Sequence, residues 1–131
     1  MEFEHNYDFH LLLDAVLNEP HKVKDIVVAN RAILDAENLS GENVLSWLAL
    51  ENHVEGVCLL RSLGSKIQQF TLCKAIQMGN TEMVILLLEL GADIDAEITS
   101  CRSTIENKIF NLSNKKKRLI RRYFMQYGHE I

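Results

Sequence analysis

Apolar residues along the chain recur at helical spacing, and one arrangement of them occurs more than once. After Asn43, the order Val44, Leu45, Trp47, Leu48, Ala49 predicts a short helix with an apolar face, and Asn43 is placed to cap its first turn. Val54, Val57, Leu59, Leu60 and Leu63 form a second helical pattern, which starts at His53 or Val54 and closes at Gly64 in the left-handed conformation. Leu72, Ala75 and Ile76 share the face of a third pattern. Asn80 or Thr81 opens the next helix, Glu82 suits its first turn, and Gly91 stops it. Pro20 marks where one helix ends and another begins. Near the end, Ser113 or Asn114 caps a helix running from about Lys115 to Tyr127. The pattern predicts an all-α chain of paired short helices.

The pairs are repeats. Asn52 to Ile67 and Gly79 to Ile94 carry Glu, Val, a leucine run and Gly at matching offsets. Glu19 to Ala36 falls in step upstream, and Tyr123 to Ile131 parallels Leu86 to Ile94 downstream. Arg31 to Gly64 is 33 residues, Gly64 to Gly91 is 27 and Gly91 to Gly128 is 37, so one linker is shortened and a later one lengthened. Four repeats follow, about 5–36, 37–69, 70–96 and 97–131, read as a single domain over 1–131. Helices this short are marginal alone and gain stability when repeats stack. Ala15, Ala49 and Ala75 recur on the first helix of three repeats, where a small side chain lets paired helices approach.

At 131 residues, the chain is long enough for a continuous core, and 47% apolar with 24% charged residues is ordinary for a globular protein. The acidic start, Met1 to Glu4, predicts no signal peptide, and no apolar run reaches the roughly 20 residues that span a bilayer. Cys58, Cys73 and Cys101 are odd in number and form no CxxC pair, which argues against a disulfide framework or zinc site and for a reducing, cytoplasmic setting. The net charge of −4 hides an asymmetry. Residues 1–97 hold 6 basic against 16 acidic residues, whereas 98–131 hold 8 against 2. An acidic body with a basic end bears on partners and association rates.

The repeated residues resemble the ankyrin repeat. Gly41-Glu42-Asn43-Val44-Leu45-Ser46-Trp47-Leu48-Ala49 is similar to that family's G-x-T-P-L-H-x-A-A. Glu55 to Leu60 and Glu82 to Leu88 resemble its E-V-V-x-L-L-L, and Gly91-Ala92-Asp93-Ile94-Asp95-Ala96 its G-A-D-V-N-A ending. Arg31 to Ala36 is a weaker copy, and no repeat keeps an intact Thr-Pro-Leu-His. The resemblance implies an all-α ankyrin-repeat solenoid of stacked helix-turn-helix units with short connecting hairpins or loops. The six-residue shortening before Phe70 is expected to remove most of one hairpin finger.

The resemblance also implies a binding face made of hairpin fingers and first-helix ends. Those positions are Leu17 and Asn18 in the first repeat, Leu39, Ser40, Glu42, Leu50 and Glu51 in the second, and Gln69, Gln77 and Met78 in the third. Apolar, amide and acidic groups in that mixture suit a protein interface. Trp47, the sole tryptophan, lies among core positions and reads as packing before binding. His53 occupies the family's turn-histidine position and reads as a structural hydrogen-bonding group; Asp93 and Asp95 fall in its turn motif. Cys58 and Cys73 lie in apolar helical contexts and read as buried thiols, with Cys101 more exposed.

Lys115, Lys116, Lys117, Arg118, Arg121 and Arg122 form the densest charge cluster. Leu119, Ile120, Tyr123 and Phe124 interleave with them, so the cations make one side of an amphipathic terminal helix. Such a helix is a solvated cap, a contact for an acidic protein, or a binder of nucleic acid or anionic membrane. No HExxH, Walker A, GxGxxG or GxSxG motif occurs, so no cofactor or catalytic machinery is expected. The leading reading is a non-catalytic cytoplasmic protein that binds another protein bearing a basic patch. Its small size and acidity also resemble immunity proteins that neutralise toxins. The alternative is nucleic-acid or anionic-membrane binding through the basic helix.

Overall fold

The structure, a computed structural model, describes residues 2–93 and 113–126, with side chains from Tyr7 onward except those of Lys116 and Tyr123. It is all-α. The described helices are α1 (Glu2–Asn18), α2 (Val23–Ala29), α3 (Val44–Leu50), α4 (Val54–Ser62), α5 (Thr71–Gln77), α6 (Thr81–Glu89) and α7 (Asn114–Gln126). Two 3-10 turns, Pro20–Lys22 and Arg31–Asp35, flank α2. The chain divides into two compact bodies, Met1–Gln68 and Gln69–Ile131.

In the N-terminal body, α1 packs against α2, both 3-10 turns and α3, and α3 pairs with α4. α1 is 17 residues long, longer than the short helix that the repeat pattern predicts. Pro20 ends it, because the residue before a proline is driven out of the helical region and Glu19 adopts φ −141°, ψ 58°. Phe9, Leu12, Ala15 and Val16 form its buried face. Val23, Val27, Ile33, Leu45, Leu48, Val57 and Leu60 complete the core. Each fully buried leucine contributes about 2 kcal/mol, which is what holds seven-residue helices together.

In the C-terminal body, α6 packs against both α5 and α7. Its core comprises Leu72, Ala75, Ile76, Met83, Val84, Leu87 and Leu88, closed by Ile120 and Phe124 from α7. Cys73 is buried as expected, whereas Cys58 is only half-buried and Cys101 lies outside the described residues. The Ile94–Ala96 ending and most of the fourth repeat also lie outside them.

The repeat is visible in the hydrogen bonds that end the helices. Behind α4, Ser65 N donates to Leu60 O (2.9 Å) and Gly64 N to Arg61 O (3.0 Å); behind α6, Ala92 N donates to Leu87 O (2.9 Å) and Gly91 N to Leu88 O (3.1 Å). This paired six-to-one and five-to-two pattern needs a left-handed residue after the helix, and Gly64 (φ 102°) and Gly91 (φ 93°) supply it. The first helix of each pair ends the same way, with Asn52 (φ 59°) after α3 and Gly79 (φ 74°) after α5.

The helix starts differ between the repeats. Asn43 caps α3 by accepting from Ser46 N at 2.9 Å, and the same register position before α5 is Phe70, in the left-handed region at φ 76° with no side-chain cap. A bulky residue there is strained. The shortened linker must reverse direction with six fewer residues, and Phe70 makes the turn. Among the described residues the single β-bridge is Glu37 with Asn43, so a finger precedes α3 and none is seen before α5.

Thr81 begins α6 with its hydroxyl buried and without a hydrogen-bond partner among the described residues. Thr81→Val is therefore expected to stabilise the protein by about 1 kcal/mol, because a near-isosteric methyl replaces an unsatisfied buried hydroxyl. A urea melt that shows equal or lower stability would count against this.

Candidate functional site: a braced finger on an acidic body

The finger from Glu37 to Asn43 is organised by Asn38. Its Oδ1 accepts from Ser40 N and Glu42 N, both at 3.0 Å, and its Nδ2 donates to Glu42 Oε1 at 3.0 Å. Asn38 N donates to Glu42 O, and Gly41 N to Asn38 O, each at 3.0 Å. Asn is suited to this role because its short amide bonds the backbone two and four residues on. Gly41 takes φ 81° with open space around it, so the turn needs its backbone freedom and not its small size.

Gln68 braces the finger from the following loop. Its Nε2 donates to Glu37 Oε2 (3.2 Å) and Gly41 O (3.1 Å), while its Oε1 accepts from Asn43 N (2.9 Å). Asn43 Nδ2 donates to Lys66 O at 3.0 Å. Both strands of the finger are thereby tied to residues 66–68. At the tip of this braced turn Leu39 is 85% exposed.

Of the other sequence-predicted contact residues in this body, Leu17, Asn18, Ser40 and Glu51 are exposed, and Glu42 and Leu50 are half-buried. Gln69, Gln77 and Met78, in the C-terminal body, are all exposed. Trp47 is half-buried, so it is not a fully packed core residue. His53 ends up as the cap of α4: its Nδ1 accepts from Gly56 N at 2.9 Å, the structural role expected for it.

On α7, Lys115, Arg118, Arg121 and Arg122 are exposed and Lys117 is half-buried; the Lys116 side chain lies outside the described residues. Lys115 and Lys117 occupy the first turn, where the helix dipole disfavours positive charge, and the helix has no acidic residue to offset them. Ile120 and Phe124 point into the body, and among the described side chains of α7 Met125 is the large exposed apolar one.

Residues 72–98 match the family model of the ankyrin repeat. The chain carries an ankyrin repeat. That match covers α5, the turn at Gly79, α6 and the Gly91 ending, the part whose hydrogen bonds α3 and α4 reproduce. No curated protein and no solved structure matched the chain. Ankyrin repeats are protein-interaction modules, and among the described residues no helix is long and apolar enough to cross a membrane.

Sequence reasoning missed several residues that shape these surfaces. Gln68 carried no signal, because a brace 25 to 31 residues distant from its partners is a tertiary event. Tyr7 and Leu11 could have been found, since they begin a second apolar row on α1 opposite Phe9 and Leu12. Gly56 was visible as the one small residue where the third repeat has Met83.

Proposed function

We propose that the protein is a non-catalytic interaction module whose N-terminal body binds a partner protein bearing a basic patch. The observation that supports this reading is Leu39, held out at 85% exposure on a finger tied by Asn38, Asn43 and Gln68. An apolar side chain on a braced backbone costs little backbone entropy to bind, so more of its burial goes into affinity. Glu37, Glu42 and Glu51 lie around it in sequence, within a body of eleven acidic and five basic residues. That charge favours a cationic partner and speeds encounter with it. Leu17, Asn18, Ser40 and Leu50 extend the proposed face, and Gln69, Gln77 and Met78 give the C-terminal body its own contacts. The action is occlusion by a preformed surface in the cytoplasm, of the kind an immunity protein or other dedicated inhibitor uses.

The test is affinity capture from the source cell with wild type, Leu39→Asp, and a variant with Lys115, Lys116, Lys117, Arg118, Arg121 and Arg122 replaced by Gln. The expected result is one protein captured by wild type and by the Gln variant. Leu39→Asp should weaken that partner about 30-fold, roughly 2 kcal/mol, without changing thermal unfolding. Capture that ignores Leu39→Asp, or that needs the basic helix, would overturn the reading. Loss of the captured partner's activity in the complex would identify an inhibitor.

A further inference from the structure

The outward face of α1 is unusual for a helix that already buries one side. Tyr7, His10, Leu11, Asp14, Leu17 and Asn18 fall on one side of the helix, and all are exposed. Tyr7 is 68% exposed, and Leu11 and Leu17 are more than two-fifths exposed. The helix thus carries apolar residues on both sides. Among its described side chains Asp8 is half-buried and Asp14 exposed, with Asp14 Oδ1 accepting from Asn18 Nδ2 at 2.7 Å, and the helix sequence has no lysine or arginine.

The described surface of α7 is its complement. Lys115, Arg118, Arg122 and Met125 lie on one stripe, with Arg121 beside it, and all are exposed. Met125 is 64% exposed. The helix has six cations and no acid, and Arg118, Arg121 and Arg122 have no ion-pair partner among the described residues. Each helix offers what the other lacks: the Asp14 carboxylate among exposed apolar side chains on α1, cations beside a flexible apolar side chain on α7. Methionine adapts to an irregular apolar surface, and arginine pairs with carboxylates through a planar fork.

We infer that α1 of one molecule binds α7 of a second copy of this chain, so that the protein self-associates through opposite charge. The net charge of −4 makes an extended polyanion a poorer occupant of α7, because the acidic body repels it. A lipid surface is poorer too, because Ile120 and Phe124, which an interfacial helix would insert, are buried. Two helices of 17 and 13 residues are about 25 and 20 Å long, which limits the contact to the small, salt-sensitive class of interfaces. The inference is independent of the finger at Leu39, and its test leaves Leu39 and Leu17 unchanged.

The experiment is sedimentation velocity across about a hundredfold range of concentration, at low and high salt, on the intact protein. Wild type should associate at low salt and dissociate at high salt. Two charge-swapped variants, Leu11→Lys/Asp14→Lys on α1 and Arg118→Glu/Arg121→Glu/Arg122→Glu on α7, should each be monomeric alone and associate when mixed, since mixing restores opposite charge. All five positions are exposed, and circular dichroism checks that each variant is folded. A wild type that stays monomeric at every concentration in low salt overturns the inference, as does association that survives the α7 variant. So does a monomer whose α7 instead binds RNA or vesicles of anionic lipid, added as separate probes.

Discussion

Replacing Gly56 with valine is expected to lower the stability of the protein by about 3 kcal/mol, the upper end of the cost of overpacking a core. A Cβ at Gly56 would lie 2.7 Å from His53 Nδ1, 2.9 Å from Leu48 Cδ1 and 3.0 Å from Val16 Cγ1. Three elements converge there: α1 through Val16, α3 through Leu48 and the α4 cap through His53. None can retreat without disturbing buried neighbours, since Val16 and Leu48 are themselves in the core. The clash also falls on the residue whose backbone N–H the His53 side chain accepts from, so the cap of α4 is strained at the same time. In the third repeat the equivalent position is Met83, fully buried, so the same register holds a large side chain where the neighbours leave room. The check is the urea midpoint at unchanged slope. A loss below about 1 kcal/mol would mean that α4 moves away from α1 and α3 at little cost.

Asn43→Ala is expected to cost about 2–3 kcal/mol and to loosen the finger, although Asn43 is itself buried and outside the proposed contact face. Its side chain caps α3 through Ser46 N and donates to Lys66 O. Alanine removes both bonds and leaves a helix of only seven residues without its cap. Loss of the anchor to Lys66 also slackens the loop that positions Gln68, the brace between Glu37, Gly41 and Asn43. Two readouts separate the effects. The urea midpoint reports the cap, and hydrogen exchange at Ser40 N and Glu42 N, which donate to Asn38, reports the finger. A variant of full stability whose finger amides exchange as slowly as wild type would refute the account. Faster exchange with a weaker partner would tie affinity to the order of the finger.

Both substitutions show how unevenly the fold was legible. The Asn43 cap, the Gly64 and Gly91 endings and the apolar faces of α3 to α6 follow from side-chain chemistry within four or five residues, so local reading found them. The length of α1 escaped because apolar residues occupy both its faces, and periodicity then marks no clean boundary. Phe70 escaped for a different reason. The 27-residue spacing announced a shortened linker, but no local rule puts a phenylalanine at φ 76°. The half-exposure of Trp47 likewise depends on what packs beside α3, which its helical register alone does not state.

The sequence by itself determined that the chain is all-α, that its helices come in repeated pairs, where most of those helices start and stop, and that acidic and basic residues are segregated along it. Those properties rest on short-range interactions: caps, glycine conformations and the spacing of apolar residues on a helix. Only the tertiary structure decided that Gln68 braces the finger, that Gly56 sits against Val16 and Leu48, and that Leu39, Tyr7 and Met125 face solvent. Each of these depends on residues tens of positions apart meeting or failing to meet, and packing selects among many arrangements that one helical pattern allows.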